Sequence, residues 1–357
     1  MNWIWSIAGI IVVAGAISSF LVGRLVQLAP QIGLLDRPNE RSSHLRVTPR
    51  GGGVGLVAGV LIVMVGLFFF GLLSWSWSWE IYFLAAGGVS LISLRDDFRS
   101  LNAGVRFACH FAAALFALIF ISAFHEVTLP GLGSYSMKTS GVALTLLWVV
   151  GLTNVYNFMD GIDGIAGVQG VIAGLAWTVA GIFCNSHATS FLGSTVAGVC
   201  AGFLIHNWAP AKIFMGDVGS AFLGFTFGVL PLVALRALQD SAAAFQIGNL
   251  PLFAILVLWP FIGDSSLTFF RRLLKGEPVW QAHRSHLYQR LAQTGWSHAR
   301  ICIVYGVWAA FSAGVGLWFL TNGSGNIWLV AGFPFGSLAA VFTLTTLREK
   351  KSLRQAP

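Results

Sequence analysis

Long apolar runs, broken at short intervals by polar segments, constrain this chain more than any other feature. They fall at roughly 3–23, 53–73, 79–95, 104–124, 141–156, 164–184, 190–207, 219–236, 249–270, 301–320 and 327–347. A hydrocarbon core ~30 Å thick takes about 20 apolar residues of helix, and only helices and closed barrels satisfy their backbone inside it. The sequence therefore predicts an all-α polytopic membrane protein with about 11 transmembrane helices. We read it as a single integral-membrane domain over 1–357. Only 10% of residues are charged, against ~25% in soluble domains. The first run has neither a basic segment ahead of it nor a small-residue cleavage site behind it. It reads as a first transmembrane helix and not as a signal peptide. The four cysteines lie in apolar runs without a C-x-x-C pair, giving no sign of a disulfide framework or zinc site.

Charge sets the expected orientation. With the N-terminus periplasmic and the C-terminus cytoplasmic, the inner segments are 24–52, 95–106, 157–163, 208–218, 271–300 and the tail from 348. These hold 19 of the 21 Lys and Arg, leaving only Lys138 and Arg236 outside, as the positive-inside rule requires. The tract Ser74–Trp79 then lies at the outer face as an interfacial aromatic belt.

Acidic residues are scarce, 13 in all, yet Asp96, Asp97, Asp160, Asp163 and Asp217 fall in three short polar breaks. Carboxylates beside membrane helices are costly and usually mark function. The adjacent pair Asp96-Asp97 needs a compensating cation. Arg95 and Arg99 are one solution, and a hard divalent cation such as Mg²⁺, held by one or two carboxylates plus substrate phosphates, is the other. The break at 154–164 offers Asn154, Asn157, Asp160 and Asp163, groups suited to a base or ribose. As an alternative, its Asp-Gly pairs read as turn punctuation. Asn207 and Lys212 precede Asp217, which opens a helix where Ser220 and backbone N–H groups could meet phosphate oxygens.

Two basic loops face the same side. The first carries Asn39, Arg41, His44 and Arg50 ahead of Gly51–Gly53, a pattern suited to an anionic phosphate or head group. A positive-inside anchor on acidic lipid is the alternative. The last carries His283, Arg284 and His286. Histidines three apart share a helix face, but without a third ligand they suit pyrophosphate contact better than zinc; ordinary interfacial charge is the alternative reading of this loop.

In order, the pieces DRPNERSSH with PRGGG, LRDDF, NVYNFMDGIDGIAG, NWAPAKIFMGDVGSAFLG and HRSHLYQRL resemble the polyprenyl-phosphate N-acetylhexosamine-1-phosphate transferase superfamily. The resemblance spans residues 36 to 291. It implies a multi-pass enzyme of the bacterial inner membrane, with its active site on the cytoplasmic face. It implies Mg²⁺ as cofactor, with Mn²⁺ as a substitute. The partners implied are UDP-N-acetylhexosamine, undecaprenyl phosphate and the lipid bilayer, without nucleic acid, and a homodimer is compatible with it. It makes Asp217 the metal ligand with Asp96, and Asp96, Asp97, Asp217 and His286 catalytic. Asn154, Asn157, Asp160, Asp163 and Asn207 fall on the nucleotide side. Ser285 stands where the commoner motif has a histidine, which leaves open whether His283 or His286 contacts the pyrophosphate, with His286 preferred. The DxPNxRxxH form of the first loop and the HRSHLYQRL form of the last imply initiation of surface polysaccharide such as O-antigen or lipopolysaccharide, with a GlcNAc- or FucNAc-type sugar.

The chief rival is an ion-coupled transporter with inner-face carboxylates, whose sites sit at the bilayer midplane between repeats; no repeat is visible here. An intramembrane aspartyl protease would leave the paired Asp and the 154–164 break unexplained.

Overall fold

The computed structural model describes residues 3–36, 47–239, 247–278, 283–322 and 326–355. Its elements run α1 (Ile4–Leu28), β1 (Leu35–Asp36), β2 (Thr48–Pro49), α2 (Gly52–Phe69), α3 (Trp77–Phe98), α4 (Ala103–Phe120), β3 (Glu126–Leu129), β4 (Gly133–Ser136) and α5 (Lys138–Phe158). They continue through α6 (Ile165–Phe183), α7 (His187–Asn207), α8 (Asp217–Gln239), α9 (Leu250–Val257), α10 (Trp259–Leu274), α11 (Leu287–Gln293), α12 (His298–Asn322), α13 (Ile327–Val330) and α14 (Gly332–Gln355).

Every expected apolar run overlaps helix over most of its length, though α2 ends at Phe69 and α4 at Phe120, short of the expected bounds. Among the described residues nine helices are long and apolar enough to cross a membrane, or ten if α9 and α10 form one span. Helix α3 falls outside that count. Glu80 at one end and Arg95, Asp96 and Asp97 at the other dilute its hydropathy. The run 249–270 is not one straight helix: α9 and α10 meet at 71°. Pro260 at the start of α10 supplies the reason, since it lacks an N–H and restricts the residue before it. The all-α expectation omitted two short antiparallel pairs, β1 with β2 and β3 with β4.

Helix α8 is the centre. Phe222, Leu223, Phe225, Phe227, Leu230 and Leu232 are all buried, as expected for a helix apolar on every side. Around it stand α2, α3, α4, α5, α6, α7 and α9. Helix α1 packs on α7 backbone to backbone: a Cβ added at Gly202 would lie 2.1 Å from the Gly15 carbonyl, and one at Gly198 2.5 Å from that of Ile11. Such small-residue seams drive helix association in lipid, where apolar burial gains nothing over the tails.

Hydrogen bonds gather several helix ends at one rim. Gly52 and Gly53 donate to the Phe214 and Met215 carbonyls at 2.9 and 2.8 Å. The Gly164 N–H donates to Asn207 Oδ1 at 2.9 Å, and Tyr288 Oη to the Phe158 carbonyl at 3.0 Å. The glycine run at 51–53 thus has a packing role: a Cβ at Gly53 would lie 2.4 Å from Gly219 Cα.

Candidate active site at the rim

The first turn of α8 is capped from another helix. Asp97, at the C-terminal end of α3, accepts from the Asp217 N–H at 3.0 Å and the Val218 N–H at 3.2 Å. Its side chain is fully buried and also pairs with Arg50. Gly216, at φ +75°, makes room: a Cβ there would lie 2.7 Å from Asp97 Oδ2. This corrects the expectation that the first N–H groups of α8 and Ser220 stand ready for phosphate. A carboxylate already holds the amides. Ser220 is buried, accepting from Asn157 Nδ2 at 3.0 Å and donating to the Gly216 carbonyl at 3.2 Å.

The paired aspartates are not neutralised by Arg95 and Arg99, which are exposed. Two distant arginines do this. Arg106 Nη1, from the first turn of α4, lies 2.8 Å from Asp96 Oδ2 and 3.4 Å from Asp217 Oδ2. Arg50 pairs with Asp97 and lies 3.5 Å from Asp217 Oδ1. Burial works against the Arg50 charge, but Asp97, Asp217, Asp36 and Asp96 outweigh it and hold the guanidinium above its ordinary value. Asp217 remains the accessible acid, its side chain 26% exposed against 8% for Asp96 and 0% for Asp97.

The 154–164 group divides into scaffold and free acid. Asn154 Nδ2 donates back to the Val150 carbonyl at 2.7 Å. Asn207 is buried, its Nδ2 on the Ile213 carbonyl at 2.8 Å. Asp163 Oδ2 accepts from the Ala211 N–H at 3.1 Å and lies 3.3 Å from His298 Nδ1. Asp160, in the turn between α5 and α6, has no hydrogen-bond partner for its carboxylate among the described residues. Burial pushes its carboxyl well above the usual range, and Asp217, Asp97 and Asp163 add to the effect against Arg50.

The last loop is ordered around Asp264, a fully buried carboxylate on α10. It accepts from the Leu287 N–H at 2.8 Å, the Tyr288 N–H at 3.3 Å and Tyr305 Oη at 2.7 Å, and lies 3.5 Å from His286 Nδ1. Helix α11 begins at Leu287, so His283 and His286 precede it and do not share a helix face as expected. Their rings still meet at 4.9 Å because the chain turns into the capped helix. Ser285 Oγ lies 2.9 Å from His283 Nδ1. Burial, then His286 and Arg272, bring the His283 imidazole down to about 4. Arg284 accepts through its carbonyl from Gln293 Nε2 at 2.9 Å. Lys212 is exposed on the α1 side of the loop before α8. Asn39, Arg41 and His44 lie outside the described residues.

Sequence reasoning missed Arg106 and Asp264. Asp264 was the one aspartate in the interior of an expected span, the same signal that singled out the others. Arg106 stood one turn inside the helix that follows the paired aspartates.

Asp217, the accessible acid, and Asp96 are the carboxylates that could hold a hard cation; each lies beside a guanidinium group, and the Asp160 carboxyl is raised by burial and then by its acidic neighbours. No cluster of three His, Cys, Asp or Glu among the described residues is set to hold a metal. The protein would thus supply one or two oxygens and leave the rest to phosphate and water, as is common for Mg²⁺.

Fold and site define a helical membrane protein whose chemistry is gathered at one rim, on carboxylates and arginines. The model of glycosyl transferase family 4 matches residues 79–235. A probable undecaprenyl-phosphate N-acetylglucosaminyl 1-phosphate transferase of Bacillus subtilis is 30% identical over 85% of this chain and 81% of its own. A decaprenyl-phosphate N-acetylglucosaminephosphotransferase of Mycobacterium leprae is 28% identical over 94% and 90%. A phospho-N-acetylmuramoyl-pentapeptide-transferase of Latilactobacillus sakei is 26% identical over 75% and 83%. The chain belongs to glycosyl transferase family 4, within the polyprenyl-phosphate hexosamine-phosphate transferase superfamily.

Proposed function

We propose that this protein transfers an N-acetylhexosamine-1-phosphate, of GlcNAc or FucNAc type, from a UDP-sugar to undecaprenyl phosphate and releases UMP. The reaction would open the synthesis of a lipid-linked surface polysaccharide such as O-antigen, at the cytoplasmic face of the inner membrane. The observation that carries the reading is Asp217, fixed by Asp97 at the head of the central helix and flanked by Arg50 and Arg106. The relatives' names support it against an ion-coupled transporter.

A phosphate oxygen of the carrier bonds to the donor's β-phosphorus. The bond from that phosphorus to the oxygen bridging the α-phosphate breaks, and UMP leaves with the electron pair. Two anions must meet, so neutralising charge is the main task. A phosphate monoester has its second pKa at about 6, so the carrier is mostly dianionic at pH 7 and needs no base. Asp97 suits positioning better than proton transfer, since both its oxygens are occupied and buried. Asp217, with Asp96, would hold Mg²⁺, which when bound supplies charge neutralisation at the pyrophosphate. Arg50 and Arg106 would steady the carboxylates and turn toward phosphate as it arrives. Neutral His283 and His286 beside it would meet the pyrophosphate from the last loop, with Arg41, His44 and Arg284 as further contacts. The test is purified protein with undecaprenyl phosphate and a panel of UDP-N-acetylhexosamines. UMP should appear only with the carrier present, and EDTA should stop it. Release that ignores both carrier and EDTA would refute the proposal.

A further inference from the structure

Beside the rim, on the far side of the loop before α8, a cleft of about 470 Å³ opens between the C-terminal ends of α1 and α7. Arg24, Lys212 and His206 line it with Phe20, Gly23 and Gln27, and among the described residues no Asp or Glu does. The Arg24 guanidinium lies 5.2 Å over the Phe20 ring, which steadies it at the mouth. His206 is fixed by its Nε2, 2.9 Å from the Ser19 carbonyl. The Lys212 N–H, 2.8 Å from the His206 carbonyl, pins the loop against α7. The neighbouring residue, Ala211, binds Asp163 on the other side. Phe20, which lines the cleft, is 60% exposed, and Ile205, next to His206 in the chain, is 66% exposed.

We infer that this cleft binds the phosphodiester head group of an acidic phospholipid, with the acyl chains lying over Phe20 and Ile205. Two cations and a fixed imidazole around an open depression, with exposed apolar side chains beside them on the same two helices, match a ligand with one anionic head and two tails. Basic pockets between helices on this side of a membrane have that use. A helix C-terminus favours a nearby cation, which could account for Arg24 alone. It does not account for Lys212 converging from a loop, or for the cleft between them. Since Lys212 and Ala211 are consecutive, an occupied cleft would brace the loop that leads to Asp217.

The test uses the full chain in phosphatidylcholine nanodiscs containing a minor fraction of phosphatidylglycerol, with retained lipid counted by native mass spectrometry. The wild type should retain phosphatidylglycerol in preference to phosphatidylcholine. Arg24→Glu should lower that retention at least ~5-fold, with an unchanged melting temperature in pure phosphatidylcholine. Arg24→Gln, the milder variant, should fall between. Equal retention of the two lipids by the wild type, or undiminished retention by Arg24→Glu, would overturn the proposal. Excess polyprenyl phosphate should leave the bound phosphatidylglycerol in place. If it displaced that lipid, the cleft would belong to the carrier and the phospholipid assignment would be wrong. None of these readouts depends on sugar transfer.

Discussion

In the proposed mechanism Asp97 sets the position of Asp217 without touching the reaction. It gives hydrogen bonds to nothing; it accepts two amides of α8 and the Arg50 guanidinium, and so fixes where Asp217 points. Asp97→Asn keeps the size but sets an NH₂ against an N–H or an arginine. Misplacement near 1 Å can cost ~100-fold in rate, and a loss of that order is expected in kcat. The pH–rate profile separates the roles: a lost base would recover as pH rises, whereas a lost positioning contact gives the same deficit from pH 6 to 9. Asp160 makes the opposite case. Its carboxyl is raised by burial and by acidic neighbours, so its charge at pH 7 works against the fold when no cation is bound. In EDTA, Asp160→Asn should melt about 2 °C higher than the wild type while transferring sugar-phosphate more slowly. A lower melting temperature would show that Asp160 has a stabilising partner. His283 sits below its unfolded value, at about 4. The unfolded chain therefore takes up its proton first. The stability His283 lends is present above ~6.5 and is lost as pH falls toward about 4. Melting curves of His283→Gln should lose part of that acid-side decline.

At the scale of elements, what the sequence showed and what it hid have separate causes. Helix positions followed from apolar length alone, because in lipid little besides a helix satisfies the backbone. The rim acids were visible because charge is so rare here. Their partners were not: Arg50 and Asp97 are 47 residues apart, Arg106 and Asp217 111 apart. Nothing local says which pairs meet. The hairpin of β3 and β4 was not legible because its strands, joined through Pro130 and Gly131, are too short to alternate clearly. The bend at Pro260 was legible and went unread. Asp264 is the element-scale counterpart of Asp97, a carboxylate on one helix capping another. Removing one partner from such a buried network costs about 3–5 kcal/mol. Asp264→Ala should therefore release α11, seen as faster hydrogen exchange at Leu287–Gln293, with transfer lost alongside. Unchanged exchange there would mean that α11 holds without its cap. The α1–α7 seam gives a purely structural counterpart. Gly202→Val has no room beside the Gly15 carbonyl and should abolish a cooperative thermal transition, while Gly9→Ala, with open space around it, should leave that transition intact.

At the scale of the whole molecule, Asp217 stands at the end of the most fully buried span. Helix α8 is buried along its length and carries Asp217 at its end, while arginines from a loop and from α4 close on it from either side. That arrangement suits a reaction between a soluble nucleotide sugar and a phosphate at the end of a lipid, since both can reach a membrane rim. The relatives favour a transferase over a transporter, whose site would lie midway between repeats. The most direct measurement follows a single atom. UDP-GlcNAc, or the UDP-sugar found active, labelled with ³²P in its β-phosphate, is given to the purified enzyme with undecaprenyl phosphate and Mg²⁺. The label should move into the lipid fraction with the sugar, leaving unlabelled UMP, and Asp217→Asn should stop the movement. Label left in the nucleotide as UDP while the sugar alone moves to lipid would contradict the account.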